Sequence, residues 1–148
     1  MGRRRGSSGC APSTRGAHGS HFTLTTTMQR DPHVILVVDD DHDLRESLRE
    51  ILEEEGFATV GACNGKEALE LLRTEGQPLP HVILLDIMMP VMTGLDVVER
   101  IRRETALAQT PVVFMTAFRT LVKTDEKSRV LYKPFSVDGV LSAIRNAC

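Results

Sequence analysis

Acidic, hydroxyl and ammonium side chains recur in this chain at one kind of place, the carboxyl end of a short apolar run. Asp39 and Asp40 close Val34–Val38, Asp86 closes Val82–Leu85, Thr116 closes Val112–Met115, and Lys133, followed by Pro134, closes Arg129–Tyr132. If these runs are parallel strands of one open sheet, all five groups meet on the rim where such sheets bind ligands. Three carboxylates crowded there repel one another and raise one another's pKa unless a cation sits among them. Hard oxygen ligands with room for water suit Mg²⁺. Lys133 can approach the same place as a mobile point charge, and the Thr116 hydroxyl can donate to an oxygen bound there. The set suits phosphoryl transfer, where positioning and charge neutralisation supply most of the catalysis and the protein's own nucleophile is a carboxylate.

The elements that must position these groups can be read from periodicity. The runs Val34–Val38, Val82–Leu85 and Val112–Met115 are unbroken and rich in branched side chains, the pattern of strands buried on both faces. Phe57–Ala62 and Arg129–Tyr132 read as two weaker strands. Between them, helical spacing puts Leu44, Leu48, Ile51 and Leu52 on one face, then Ala68, Leu69 and Leu72, then Leu95, Val98 and Ile101 with Val97, and last Val137, Val140, Leu141 and Ile144. Asp41 and Asp43 read as first-turn acids that suit the dipole of the first helix. Five strands alternating with up to five helices predict an α/β, doubly wound parallel sheet with helices on both faces.

Of the 148 residues, 41% are hydrophobic, enough for one domain with a real core, and the net charge of −2 makes no case for a nucleic-acid binder. The longest apolar run, Val34–Val38, is far too short to cross a bilayer. Residues 1–30 carry five arginines and no acid, which leaves −7 for residues 31–148. With only Phe22, Leu24 and Met28 as large apolar side chains, that segment is expected to be a disordered basic tail, whether genuine, an extension upstream of a start at Met28, or a non-native addition. Cys10, Cys63 and Cys148 lack metal-ligand spacing, and a reducing cytoplasm is the simplest compartment for them. The stretch Gly61–Lys66 lacks the spacing and the hydroxyl of a Walker loop.

From His33 to Cys148 the chain resembles a response-regulator receiver domain (CheY-like) of bacterial two-component signalling. The resemblance rests on "VILVVDDD" with Asp39 and Asp40, "VILLDIMMPVMTGLDV" around Asp86, "VVFMTA" with Thr116 and "YKPF" with Lys133. It implies a flavodoxin-like sheet of order 2-1-3-4-5, with residues 31–148 as the domain. It also implies that Asp86 is the phosphoacceptor, that Asp40 and Asp86 bind Mg²⁺ directly, that Asp39 holds it largely through water, and that the Met88 carbonyl completes the protein ligands. Thr116 and Lys133 would read the phosphoryl group, and Lys133-Pro134 would be a cis peptide. The implied partner is a sensor histidine kinase or a histidine phosphotransfer protein, docked on the first helix and the loop with Pro134 and Phe135. Because the chain stops at Cys148, the expectation is a stand-alone receiver that signals by protein contact, with no specific nucleic acid and no membrane.

Two departures from the family pattern bear on output. Between Thr116 and Lys133 stands only "AFRTLVKTDEKSRVLY", so the fourth helix should be short or absent, and with it the usual output surface of fourth helix, fifth strand and fifth helix is in question. Val130 stands where the family usually carries an aromatic residue, three before the lysine. Met88 and Phe118 occupy the positions two after Asp86 and two after Thr116, where bulky apolar groups should hinder an attacking water. The methionines Met88, Met89, Met92 and Met115 read as packing. One rival is an aspartate-nucleophile phosphatase of the haloacid-dehalogenase type, which needs a second acid where Met88 stands. The other is a receiver-like interaction module that works without phosphorylation.

Overall fold

A computed structural model describes residues 32–118 and 125–148. The expected tail of residues 1–30 therefore lies outside the described residues, as do residues 119–124 of the stretch in which the fourth helix should be short or absent. Five strands run β1 (Val34–Val38), β2 (Ala58–Ala62), β3 (Val82–Asp86), β4 (Val112–Thr116) and β5 (Ser128–Tyr132). Four helices connect or follow them: α1 (His42–Glu54), α2 (Gly65–Arg73), α3 (Gly94–Ile101) and α4 (Val137–Ala147). The strands form one sheet in the order β2-β1-β3-β4-β5, every pairing parallel. Among the described residues no helix lies between β4 and β5, and none is long and apolar enough to cross a membrane.

Parallel strands covered on both faces bury alternate side chains in two separate layers. Ile35 and Val37 of β1 face the layer that α1 and α4 close with Leu48, Leu52, Val140, Leu141 and Ile144. Leu36 and Val38 face the opposite layer, closed by Ala68 and Leu69 of α2 and by Val97, Val98 and Ile101 of α3. Each fully buried aliphatic side chain contributes roughly 1.5–3 kcal/mol, so the central strands carry much of the fold.

Two expected core positions are corrected. Leu95 is 44% exposed and Val137 49% exposed. In α3 the buried stripe is Gly94, Val97, Val98 and Ile101, the i, i+3, i+4, i+7 set, which leaves Leu95 facing outward. In α4 the stripe begins at Val140, and Val137 is the first helical residue, just after the cap.

Each helix starts on a capping side chain placed just past a strand or loop. Asp41 caps α1 by accepting from the Leu44 amide at 3.2 Å, and Asn64 caps α2 by accepting from Glu67 at 2.8 Å. Thr93 and Asp96 form a capping box on α3, and Ser136 caps α4. Gly94 opens α3 where the backbone leaves no room for a side chain, since an added Cβ would lie 2.6 Å from the carbonyl oxygen of Asp86. That close approach draws the start of α3 against the end of β3.

Candidate functional site

The sheet order places the ends of β1, β3, β4 and β5 side by side on one rim. Asp86 stands opposite Met115 in the β3–β4 register, and Thr116 opposite Tyr132 in the β4–β5 register, one residue before Lys133. All five expected side chains come to this rim. Carboxylate oxygens of Asp39, Asp40 and Asp86 lie within 4.8 Å of one another. Asp39 and Asp86 are buried and Asp40 is exposed at the mouth. The Lys133 Nζ is 3.5 Å from Asp39 Oδ2 and 3.7 Å from Asp86 Oδ1, so one ammonium spans the two buried acids. The Lys133-Pro134 peptide is cis, as the resemblance implied.

Hydrogen bonds fix the orientation of the acids. The Asp41 amide donates to Asp39 Oδ1 at 2.9 Å, and the Met88 amide donates to Asp86 Oδ1 at 3.3 Å. Thr116, itself buried, accepts from the Phe118 amide through Oγ1 at 3.1 Å, which leaves the hydroxyl proton to donate elsewhere. Its carbonyl accepts from the Lys133 amide at 2.7 Å, which ties the lysine's backbone to the end of β4.

The electrostatics follow from three acids facing one cation in a part-dry crevice. Burial pushes the Asp86 carboxyl up to about 6, the nearby Asp39 charge adds to the rise, and Lys133 opposes it. Asp39 is also raised, again foremost by burial, against the Asp41 amide and Lys133. Both acids are thus short of positive charge. The donor set fits a hard divalent cation, since it offers converging oxygens, a mouth open for water and no soft ligand.

Among the methionines, Met89 and Met115 are buried as packing, whereas Met88 is 56% exposed, a correction to its reading as packing. Phe118 is 55% exposed, so the two groups two residues beyond Asp86 and Thr116 stand at the surface. Sequence reasoning missed Arg45 and Arg49, which are 6% and 0% exposed on α1. Their signal was present, because they share the stripe of Leu48 and Leu52 at i, i+4 spacing and so cannot face water.

The sequence pattern of the response regulator receiver domain matches residues 35–145. The chain is 31% identical over 116 residues to sporulation initiation phosphotransferase F of Bacillus subtilis (strain 168), covering 75% of this chain and 90% of that protein. It is 38% identical over 107 residues to the transcriptional regulatory protein CpxR of Escherichia coli (strain K12), covering 72% of this chain and 41% of that protein. The chain thus spans about two fifths of CpxR's length. Among solved structures, the chemotaxis response regulator CheY4 of Vibrio cholerae superposes with a TM-score of 0.70 at 26% identity, covering 79% of this chain and 99% of that one. The pattern match over most of the folded chain, the order 2-1-3-4-5 and the acidic rim agree, and the chain belongs to the response-regulator receiver domain family.

Proposed function

We propose that this chain accepts a phosphoryl group on Asp86 from a phosphohistidine of a sensor histidine kinase or a histidine phosphotransfer protein. The observation that carries the reading is the position of the Lys133 ammonium, within 3.7 Å of both Asp39 and Asp86, beside three converging carboxylates. A carboxyl that titrates near 6 is mostly ionised at neutral pH and can act as the nucleophile.

In this reading an Asp86 oxygen attacks phosphorus as the P–N bond to the histidine breaks, and the bonding electrons leave on the imidazole nitrogen. The product is an acyl phosphate on Asp86. Lys133 offsets the charge on a phosphoryl oxygen, and the Thr116 hydroxyl donates to another. Asp39, Asp40, Asp86 and the Met88 carbonyl would hold Mg²⁺, which when bound neutralises phosphoryl oxygens and aligns them for in-line transfer. The donor would dock on α1 and the loop with Pro134 and Phe135, and the output would be a contact made by the receiver surface or onward transfer in a relay. The chain acts as a signalling module in the cytoplasm and not as a turnover enzyme.

One observation favours a second reading, an interaction module independent of phosphorylation. Val130, where the family usually has an aromatic ring, packs half-buried against the layer under α2 and α3, so the usual reporter of phosphorylation is replaced by core packing. Phosphoramidate, whose P–N bond imitates phosphohistidine, separates the two. After incubation with Mg²⁺ and borohydride reduction, an acyl phosphate on Asp86 should map as homoserine at position 86; no conversion would favour the second reading.

A further inference from the structure

The buried arginine nearest the acidic rim points to a role for α1 in the pocket. We propose that Arg45 is a positioning residue for the divalent-cation site, acting by clamping the peptide that joins Asp39 to Asp40; this rests on the reading of the rim as such a site.

Strand β1 ends where the chain must turn into α1. The Asp39 amide still pairs with the Ala62 carbonyl at 3.2 Å, but two residues later Asp41 caps the helix. The Asp39 carbonyl oxygen is taken by Arg45, whose Nη1 donates to it at 2.8 Å in a buried setting. A peptide group is planar, so fixing this oxygen fixes the plane shared by the two aspartates. That plane places the Cα from which the Asp40 carboxylate projects, while Asp39 is already held by the Asp41 amide.

The guanidinium is itself held from the remaining sides. Its Nη2 donates to His42 Nδ1 at 3.0 Å, and its Nε lies 3.6 Å from Glu46 Oε2. Room for the stem comes from β2, where an added Cβ at Gly61 would lie 3.4 Å from Arg45 Cδ and 3.2 Å from Arg49 Cδ. A planar fork with several donors can satisfy a carbonyl, a ring nitrogen and a carboxylate at once, which an ammonium on a flexible stem does less well.

Groups that orient metal ligands typically carry tenfold or more in metal affinity. Arg45→Met keeps the stem and removes the clamp, and calorimetric titration of the full chain with Mg²⁺ should show binding weaker by about tenfold. Labelling by acetyl phosphate should fall at limiting Mg²⁺ and recover at saturation, a split that loss of folded protein would not produce. Arg45→Lys, which keeps a charge and a donor, should restore part of the affinity. Arg49→Met, one turn along α1, should cost stability and leave Mg²⁺ affinity as it was.

If native protein binds Mg²⁺ and Arg45→Met binds it equally or more tightly, the clamp is refuted and the pocket reading stands. The clamp is equally refuted if Arg49→Met weakens Mg²⁺ as much as Arg45→Met does. If native protein binds no Mg²⁺, the pocket reading falls and takes the clamp with it. Should Arg45→Met fail to fold, Arg45→Lys carries the same test: weaker binding than native supports the clamp, and unchanged binding overturns it.

Discussion

Asp86 is poised at a cost to the metal-free fold, and neutralising it should make that fold more stable. Its side chain is buried, 4% exposed, and its pKa is raised from 3.8 to about 6 by burial and by the charge of Asp39. At roughly 1.36 kcal/mol per pH unit, the folded state disfavours the carboxylate by about 3 kcal/mol, an upper bound once relaxation and water entry are allowed for. The folded state binds the proton more tightly than the unfolded one, so the contribution of Asp86 to stability is fully present below about 3.8 and is lost as pH rises through about 6. Asp86→Asn keeps the shape and the acceptor for the Met88 amide while removing the charge. In chelator at pH 8 it should gain about 2 kcal/mol, which for a urea dependence of ~1–3 kcal/mol per molar is a midpoint shift of roughly 1 M. At pH 5, where the native acid is mostly neutral, the gap should shrink, and Mg²⁺ should stabilise the native chain but not the variant. Equal or lower stability of Asp86→Asn at pH 8, or a gap that does not depend on pH, would refute the electrostatic account of the rim.

Three further variants probe the surroundings of the site. Val91 is a β-branched residue at φ 75° and 77% exposed, a conformation that strains its backbone, so Val91→Gly should raise the thermal midpoint by an equivalent of about 1 kcal/mol despite glycine's entropy cost. A midpoint that falls would show that the strain is absent. Gly94→Ala would drive a Cβ to 2.6 Å from the Asp86 carbonyl and should cost on the order of 2 kcal/mol in urea unfolding, with slower phosphorylation; a silent substitution would mean that α3 can withdraw freely. Met88→Asn combined with Phe118→Glu replaces the two exposed apolar groups beside the pocket and should speed loss of the phosphoryl group about tenfold, or ~1.4 kcal/mol of barrier. Decay no faster than the parent's, followed by intact mass over time, would remove them as a shield against water.

Most of the site was legible because strand ends are where an open parallel sheet presents its chemistry. Asp39, Asp40, Asp86, Thr116 and Lys133 could be assigned to one rim from four short runs, without knowing any distance. Helix phase was less legible. Apolar residues at a helix start, such as Leu95 and Val137, satisfy a periodic template yet face outward, because the caps at Thr93 and Ser136 set where the helix begins and hence which residues turn inward. Arg45 and Arg49 were overlooked although their spacing places them on the stripe of Leu48 and Leu52; the room that admits their stems beside Gly61 of β2 is set by tertiary packing. The backbone at Val91 was equally hidden, since valine in that conformation runs against its own preference and is imposed by the loop between β3 and α3.

The central claim is that Asp86 is the phosphoacceptor of a divalent-cation pocket. The most direct test is the intact mass of the chain after incubation with acetyl phosphate, with and without Mg²⁺, beside Asp86→Asn. The expected result is a gain of one phosphoryl group that requires both Mg²⁺ and Asp86. No gain where an authentic receiver is labelled, or a gain that survives in Asp86→Asn, would contradict it.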